Sequence, residues 1–287
     1  MKRRIQVLSG IFGLRILLIF SAASVCVAEG PSAGAVAGFN SYVSGVEARL
    51  GQQHRSADAF LAGGVLAPQN ETRLYGGELV VDELTPAGGT ALPGALLHHW
   101  RGTAFAPGAT AADFERLMKD FDDYPQNFSP QVVRARVISQ KGDDLQTLIR
   151  VRQKHMITVV MDTAYDVSFE RLDERHGYSV SRSTRISEIA SAGTGAEREL
   201  SADESHGFLW RMNTYWSYEE KDGGLYMQIE SVSLTRSIPR GLGWAVQPFV
   251  ESVPRESVEF TLRSTCNGLR NVREKKTDVA VKGRTGR

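Results

Sequence analysis

Few residues in this sequence have the type and spacing to do acid–base, nucleophilic or metal chemistry. Its six histidines are scattered. His98 and His99 are adjacent on a predicted strand, so they point to opposite faces and cannot share one metal. His155 and His176 fall near strand ends, and His206 lies in a polar loop close to Trp210. There is no His-Glu-x-x-His, no Gly-x-Ser-x-Gly and no phosphate-binding or dinucleotide glycine loop. No serine stands with a histidine and an acid in a readable triad. The two cysteines, Cys26 and Cys266, are too few for a cysteine-pair zinc site. No catalytic residue, metal or cofactor is therefore expected.

One charge is out of place. Residues 178–188 alternate as a strand. Ser179, Ser181, Ser183, Arg185 and Ser187 share a face assigned to solvent. Tyr178, Val180, Arg182, Thr184 and Ile186 share the other, assigned to the interior. Arg182 is then a cation on an apolar face and needs a carboxylate or a ligand acid. In the strand over 224–237 the inward face is ambiguous, but Glu230 reaches Arg182 if it points inward. The pair is either a structural ion pair or a device that orients an acidic or carbonyl head group. Other inward positions are apolar: Met161 and Tyr165 on the strand over 157–170, Trp210 and Trp216 on the strand over 208–220, and Phe249 on the last helix. Arg182, Glu230, Trp210, Trp216, Tyr165, Tyr178, Met161 and Phe249 are the candidate ligand-binding residues. Aromatic residues on one strand face also fit an ordinary core.

The elements that must position these residues follow from pattern. Lys2, Arg3 and Arg4 precede an apolar run ending Cys26-Val27-Ala28, which reads as a secretory signal over 1–28. An exported protein, periplasmic or secreted in a bacterium, is expected; the alternative is an uncleaved inner-membrane anchor. Residues 29–69 combine a small-residue linker at 31–38 with an amphipathic helix over 39–61, apolar at Phe39, Val43, Val46, Leu50, Phe60 and Leu61. Strands are expected near 74–81 and 98–105. Thr110 caps a helix from Ala111 to about Phe121. Strands over 131–139, 145–154, 157–170, 177–189, 208–220 and 224–237 form a meander divided by Gly/Asp turns. The polar loop Ala190–Gly207 is long enough to be a flap or a disordered segment. A helix beginning near Gly241 carries Pro248 and Pro254, expected to kink it. Residues 269–287 are basic and read as a disordered tail, with peripheral membrane contact as one use. The net charge of +1 over 287 residues gives no support to nucleic-acid binding.

This order resembles the START-like superfamily, the helix-grip group that includes polyketide cyclase and lipid-transport domains. Trp100-Arg101-Gly102-Thr103-Ala104-Phe105-Ala106-Pro107-Gly108 looks like its strand-to-helix entry. Asp120-Phe121-Asp122-Asp123-Tyr124-Pro125 looks like its helix exit. Leu234-Thr235-Arg236-Ser237-Ile238-Pro239, with Gly241-Leu242-Gly243-Trp244 after it, looks like entry into the gripping helix. The likeness covers about 70–268. It implies an α+β fold in which a curved antiparallel sheet wraps a long C-terminal helix. It also implies a cavity between them for an apolar small molecule such as a lipid, isoprenoid or polyketide. A cyclase or dehydratase on the same fold, and a non-catalytic envelope interaction protein, are the alternatives. Oligomeric state is not legible.

Overall fold

The computed structural model describes residues 30–56, 59–62, 67–154, 157–237 and 243–285, with side chains in the last segment described over 252–274. The export segment and His155 lie outside the described residues. In chain order, α1 (Ala33–Gln53) and α2 (Pro68–Tyr75) precede β1 (Val80–Glu83), β2 (Thr90–Leu92) and β3 (Ala95–Pro107). Then come α3 (Ala111–Lys119), a single 3-10 turn at Phe121–Asp123 and α4 (Tyr124–Asn127). The meander is β4 (Val132–Lys141), β5 (Asp144–Lys154), β6 (Thr158–Arg171), β7 (His176–Ala190), β8 (Arg198–Glu199), β9 (Arg211–Lys221) and β10 (Gly224–Arg236). The last element is α5 (Gly243–Thr285).

The main sheet runs β1-β3-β10-β9-β7-β6-β5-β4, with β2 beside β3 and β8 beside β7. Every pairing is antiparallel, and β3 meets β10 along its whole length, from Ala95 opposite Arg236 to Pro107 opposite Gly224. The β9–β10 hairpin turns through Asp222 and Gly223, both at positive φ, which suits the right-handed strand twist. This is the α+β helix-grip architecture expected from the element order.

The two faces of the sheet pack on different helices. Val258 and Leu262 of α5 share a core with Trp100, Ala104, Trp216, Met227 and Ile229. The alternate residues Tyr215, Val232 and Leu234 face the other way and pack on Ala35, Phe39, Val43, Val46 and Leu50 of α1. Gly102 sets the approach of α5 to β3. A Cβ there would lie 2.6 Å from both Leu262 Cδ1 and Val258 Cγ1.

Four expectations are corrected. Residues 31–38 are not a linker: the Ser32 side chain accepts from Ala35 N at 3.1 Å and starts α1 at Ala33. The helix expected over 39–61 ends at Gln53, short of Phe60 and Leu61. The segment 74–81 is mostly not strand, because Pro68 opens α2, which runs to Tyr75. Residues 269–285 continue α5, since no proline or glycine interrupts them before Gly283 and Leu269 is buried in the core. No helix among the described residues is long and apolar enough to cross a membrane.

Candidate functional site

Between the inner face of the sheet, α5 and the α3–α4 corner lies a cavity of about 190 Å³. The Thr110 hydroxyl caps α3 by accepting from Asp113 N, and the helix delivers Met118 to the cavity. Phe121, Tyr124 and Phe128, at three- and four-residue spacing in the turn beyond it, stack into one aromatic wall. Tyr124 donates its hydroxyl to Met118 O at 2.7 Å, and burial raises its pKa. Strands β5 and β6 contribute Ile149, Val151, Met161, Tyr165, Val167 and Phe169. Burial pushes the Tyr165 phenol up to about 12, so it stays neutral. Strand β9 supplies Met212, Thr214 and Trp216, β7 supplies Ser179 and Ser181, and α5 supplies Ser257, Phe260 and Thr261. Among the described residues the wall holds no carboxylate, imidazole, ammonium or guanidinium.

The long loop before β9 reaches the same cavity. Leu209 lines it, and the chain just upstream is fastened by the buried Glu188. Its carboxylate accepts from the backbone N–H of His206 (3.1 Å), Gly207 (2.9 Å) and Phe208 (3.2 Å), and from the Ser205 hydroxyl at 3.0 Å. His206 Nδ1 is 2.8 Å from the same group. Burial pushes this carboxyl up, but the hydrogen bonds outweigh burial and hold it below the ordinary range. His206 is thus a latch partner with an exposed ring stacked on Phe208.

The structure brings Met161, Tyr165 and Trp216 to the cavity wall. Arg182, Glu230, Tyr178 and Trp210 are elsewhere, and the inward Arg182–Glu230 pair is corrected. Arg182 Nε lies 2.8 Å from Glu47 of α1. Glu230, 1% exposed, receives Arg49 of α1 and sits 2.9 Å from His99 Nε2. Tyr178 stacks on His54 at 4.3 Å between centroids, and Trp210 packs against the α1 core. The side chain of Phe249 lies outside the described residues. The reason is common to all four: α1 covers the outer face, so the apolar face of β7 turns toward α1 and its serine face turns toward the cavity. Trp210 also precedes the β9 ladder, which begins at Arg211, so strand parity does not reach it. The cavity aromatics Phe121, Tyr124, Phe128 and Phe260 were missed as site residues. The signal for the first three was the aromatic spacing just beyond α3, and Phe260 belongs to the apolar face of the last helix.

The outer face carries the polar layer instead. Tyr42 OH lies 3.1 Å from His99 Nδ1, completing a Tyr42–His99–Glu230–Arg49 chain beneath α1. The Tyr215 hydroxyl donates to Glu47 at 3.0 Å, and His54 Nε2 sits 2.8 Å from the Ser217 hydroxyl. Burial, with a smaller contribution from Arg49, lowers the His54 pKa to about 4 despite the nearby Glu230 charge. These groups fix the helix to the sheet and do not face the cavity.

No protein-family model matches the chain, and no curated protein matches it. Solved structures do align with it. The STAR-related lipid transfer protein of Xanthomonas axonopodis is 16% identical over 63% of this chain and 96% of its own, with a TM-score of 0.40. A START superfamily protein of Mycobacterium smegmatis is 13% identical over 61% and 98%, with a TM-score of 0.40. The Zhui aromatase/cyclase of a Streptomyces species is 13% identical over 63% and 96%, with a TM-score of 0.39.

Proposed function

We propose that this protein is an exported carrier that holds an apolar small molecule between the sheet and α5. The observation that carries the reading is the cavity itself: a void of about 190 Å³ whose walls are mainly aromatic and aliphatic, with uncharged serine, threonine and glutamine side chains and no charged group among the described residues. An apolar cavity of ~150 Å³ takes up benzene, so this volume accommodates a ring-sized body without rearrangement. Drug-sized ligands occupy roughly 300–1,000 Å³. A longer ligand is admitted by movement of Met118, Met161 and Met212, whose unbranched side chains repack readily.

A carrier fits these walls better than a cyclase or dehydratase. General acid–base catalysis needs a titratable group within hydrogen-bond reach of the reacting atom. Tyr124 and Tyr165 are the ionisable groups on the described wall, and both are held in the neutral form. An interaction role for α1 is weakened by the engagement of its apolar stripe with its own sheet. Export rests on the sequence of residues 1–28.

The test is native mass spectrometry of protein purified from its own host, followed by solvent extraction. A stoichiometric apolar species that leaves on extraction is the expected result. Protein that is ligand-free from every preparation, and takes up no apolar probe afterwards, would overturn the reading.

A further inference from the structure

We propose that the cavity selects uncharged molecules carrying an oxygen function on a ring-sized apolar body, and that Ser179, Ser181 and Thr214 receive that oxygen. The inference rests on the binding role above and adds a ligand class to it.

The three hydroxyls are neighbours by register. Ser181 lies directly opposite Thr214 across the β7–β9 ladder, and Ser179 lies opposite Trp216. All three line the cavity. Nearby hydroxyls are already used: Ser183 accepts from Met212 N at 2.9 Å, and Thr163 donates to Ile149 O at 2.9 Å. No side-chain hydrogen bond joins Ser179, Ser181 or Thr214 to another described residue. Their surroundings are Val167 and Phe169 on β6, with Met212 and Trp216 on β9. Ser179 is buried and Ser181 and Thr214 are half-buried, and polar groups withdrawn from solvent are nearly always partnered. An oxygen therefore belongs beside them, from water in the empty protein and from the ligand in the loaded one.

The same wall decides the charge of the ligand. A carboxylate or phosphate entering the cavity would meet no cation on the described wall, and an amine would meet no anion. An ion buried without a partner is strongly disfavoured. Serine and threonine hydroxyls both donate and accept, so they serve a ketone or an alcohol equally well. Sequence alone pointed the other way, because the serine face of β7 has the composition of a solvated face.

The test is calorimetric titration with three probes of one shape: tetralin, 2-tetralone and tetralin-2-carboxylate. Each is titrated into the wild type and into the variant Ser179→Ala/Ser181→Ala/Thr214→Val. In the wild type the ketone binds and the carboxylate does not. In the variant the ketone weakens about three- to tenfold, the scale of one net hydrogen bond, while tetralin keeps or improves its affinity. A variant that weakens both neutral probes alike, or neither, overturns the inference. So does a carboxylate that binds the wild type as tightly as the ketone, a comparison that does not depend on the variant folding. Failure of all three probes on the wild type is a distinct result that removes the binding role and this inference together.

Discussion

Glu230 shows how far a single residue can be read from sequence. From sequence it was legible only as the carboxylate that an inward Arg182 would need, on a strand whose inward face was ambiguous. The partner was not, because Arg49 and His99 come from α1 and β3. Burial pushes its carboxyl up, but the His99 hydrogen bond and the Arg49 charge outweigh burial, leaving the group below the ordinary range. Its contribution to stability is present above the unfolded carboxylate pKa and lost as pH falls through the lower folded value. Glu230→Gln is expected to cost about 1–3 kcal/mol at neutral pH, measured by urea unfolding, and to leave probe affinity unchanged. His54 adds a second slope. Held neutral at about 4 against an ordinary 6.5, it lets the unfolded chain bind the extra proton between those values. Stability therefore falls as pH drops from about 6.5 to about 4, and His54→Gln should flatten that part of the unfolding profile.

Elements were more legible than faces. The six meander strands lie within a few residues of their expected places, because their alternation and Gly/Asp turns are local signals. Face assignment failed on β7 because it depends on what covers the sheet. A strand with serines on one side and Tyr178 and Val180 on the other reads as solvent-out only while one cover is assumed. The amphipathic pattern of α1 was visible, but nothing in its own residues said that it docks on the sheet. Two predictions belong to this scale. Gly102→Ala drives a methyl into Val258 and Leu262, and should destabilise the protein by about 1–3 kcal/mol while loosening α5. Hydrogen exchange in the middle of α5 would rise relative to the β3–β10 ladder. Glu188→Ala removes the acceptor that gathers Ser205 to Phe208, and should raise exchange at those amides. Unchanged exchange there would show that the loop end is held by its other bonds, Arg236 N to Gly207 O and Trp210 N to Leu234 O.

At the scale of the whole molecule the protein is a sheet with two differently used faces. The inner face shares an apolar core with α5 and leaves a cavity; the outer face packs on α1 through an apolar stripe and a partly buried ionic layer. Architecture and a sheet–helix interior were what the family resemblance implied. The chemistry of that interior was not legible, since it turns on which side of β7 is inward. The two faces can be tested apart with a cavity-filling substitution, Val167→Phe, against Glu230→Gln on the opposite side. Calorimetric titration of 2-tetralone into the wild type and these two variants asks the central question directly. The account predicts binding to the wild type and to Glu230→Gln, and loss of binding in a folded Val167→Phe protein. Equal binding to a folded Val167→Phe protein, or no binding to the wild type, would contradict it.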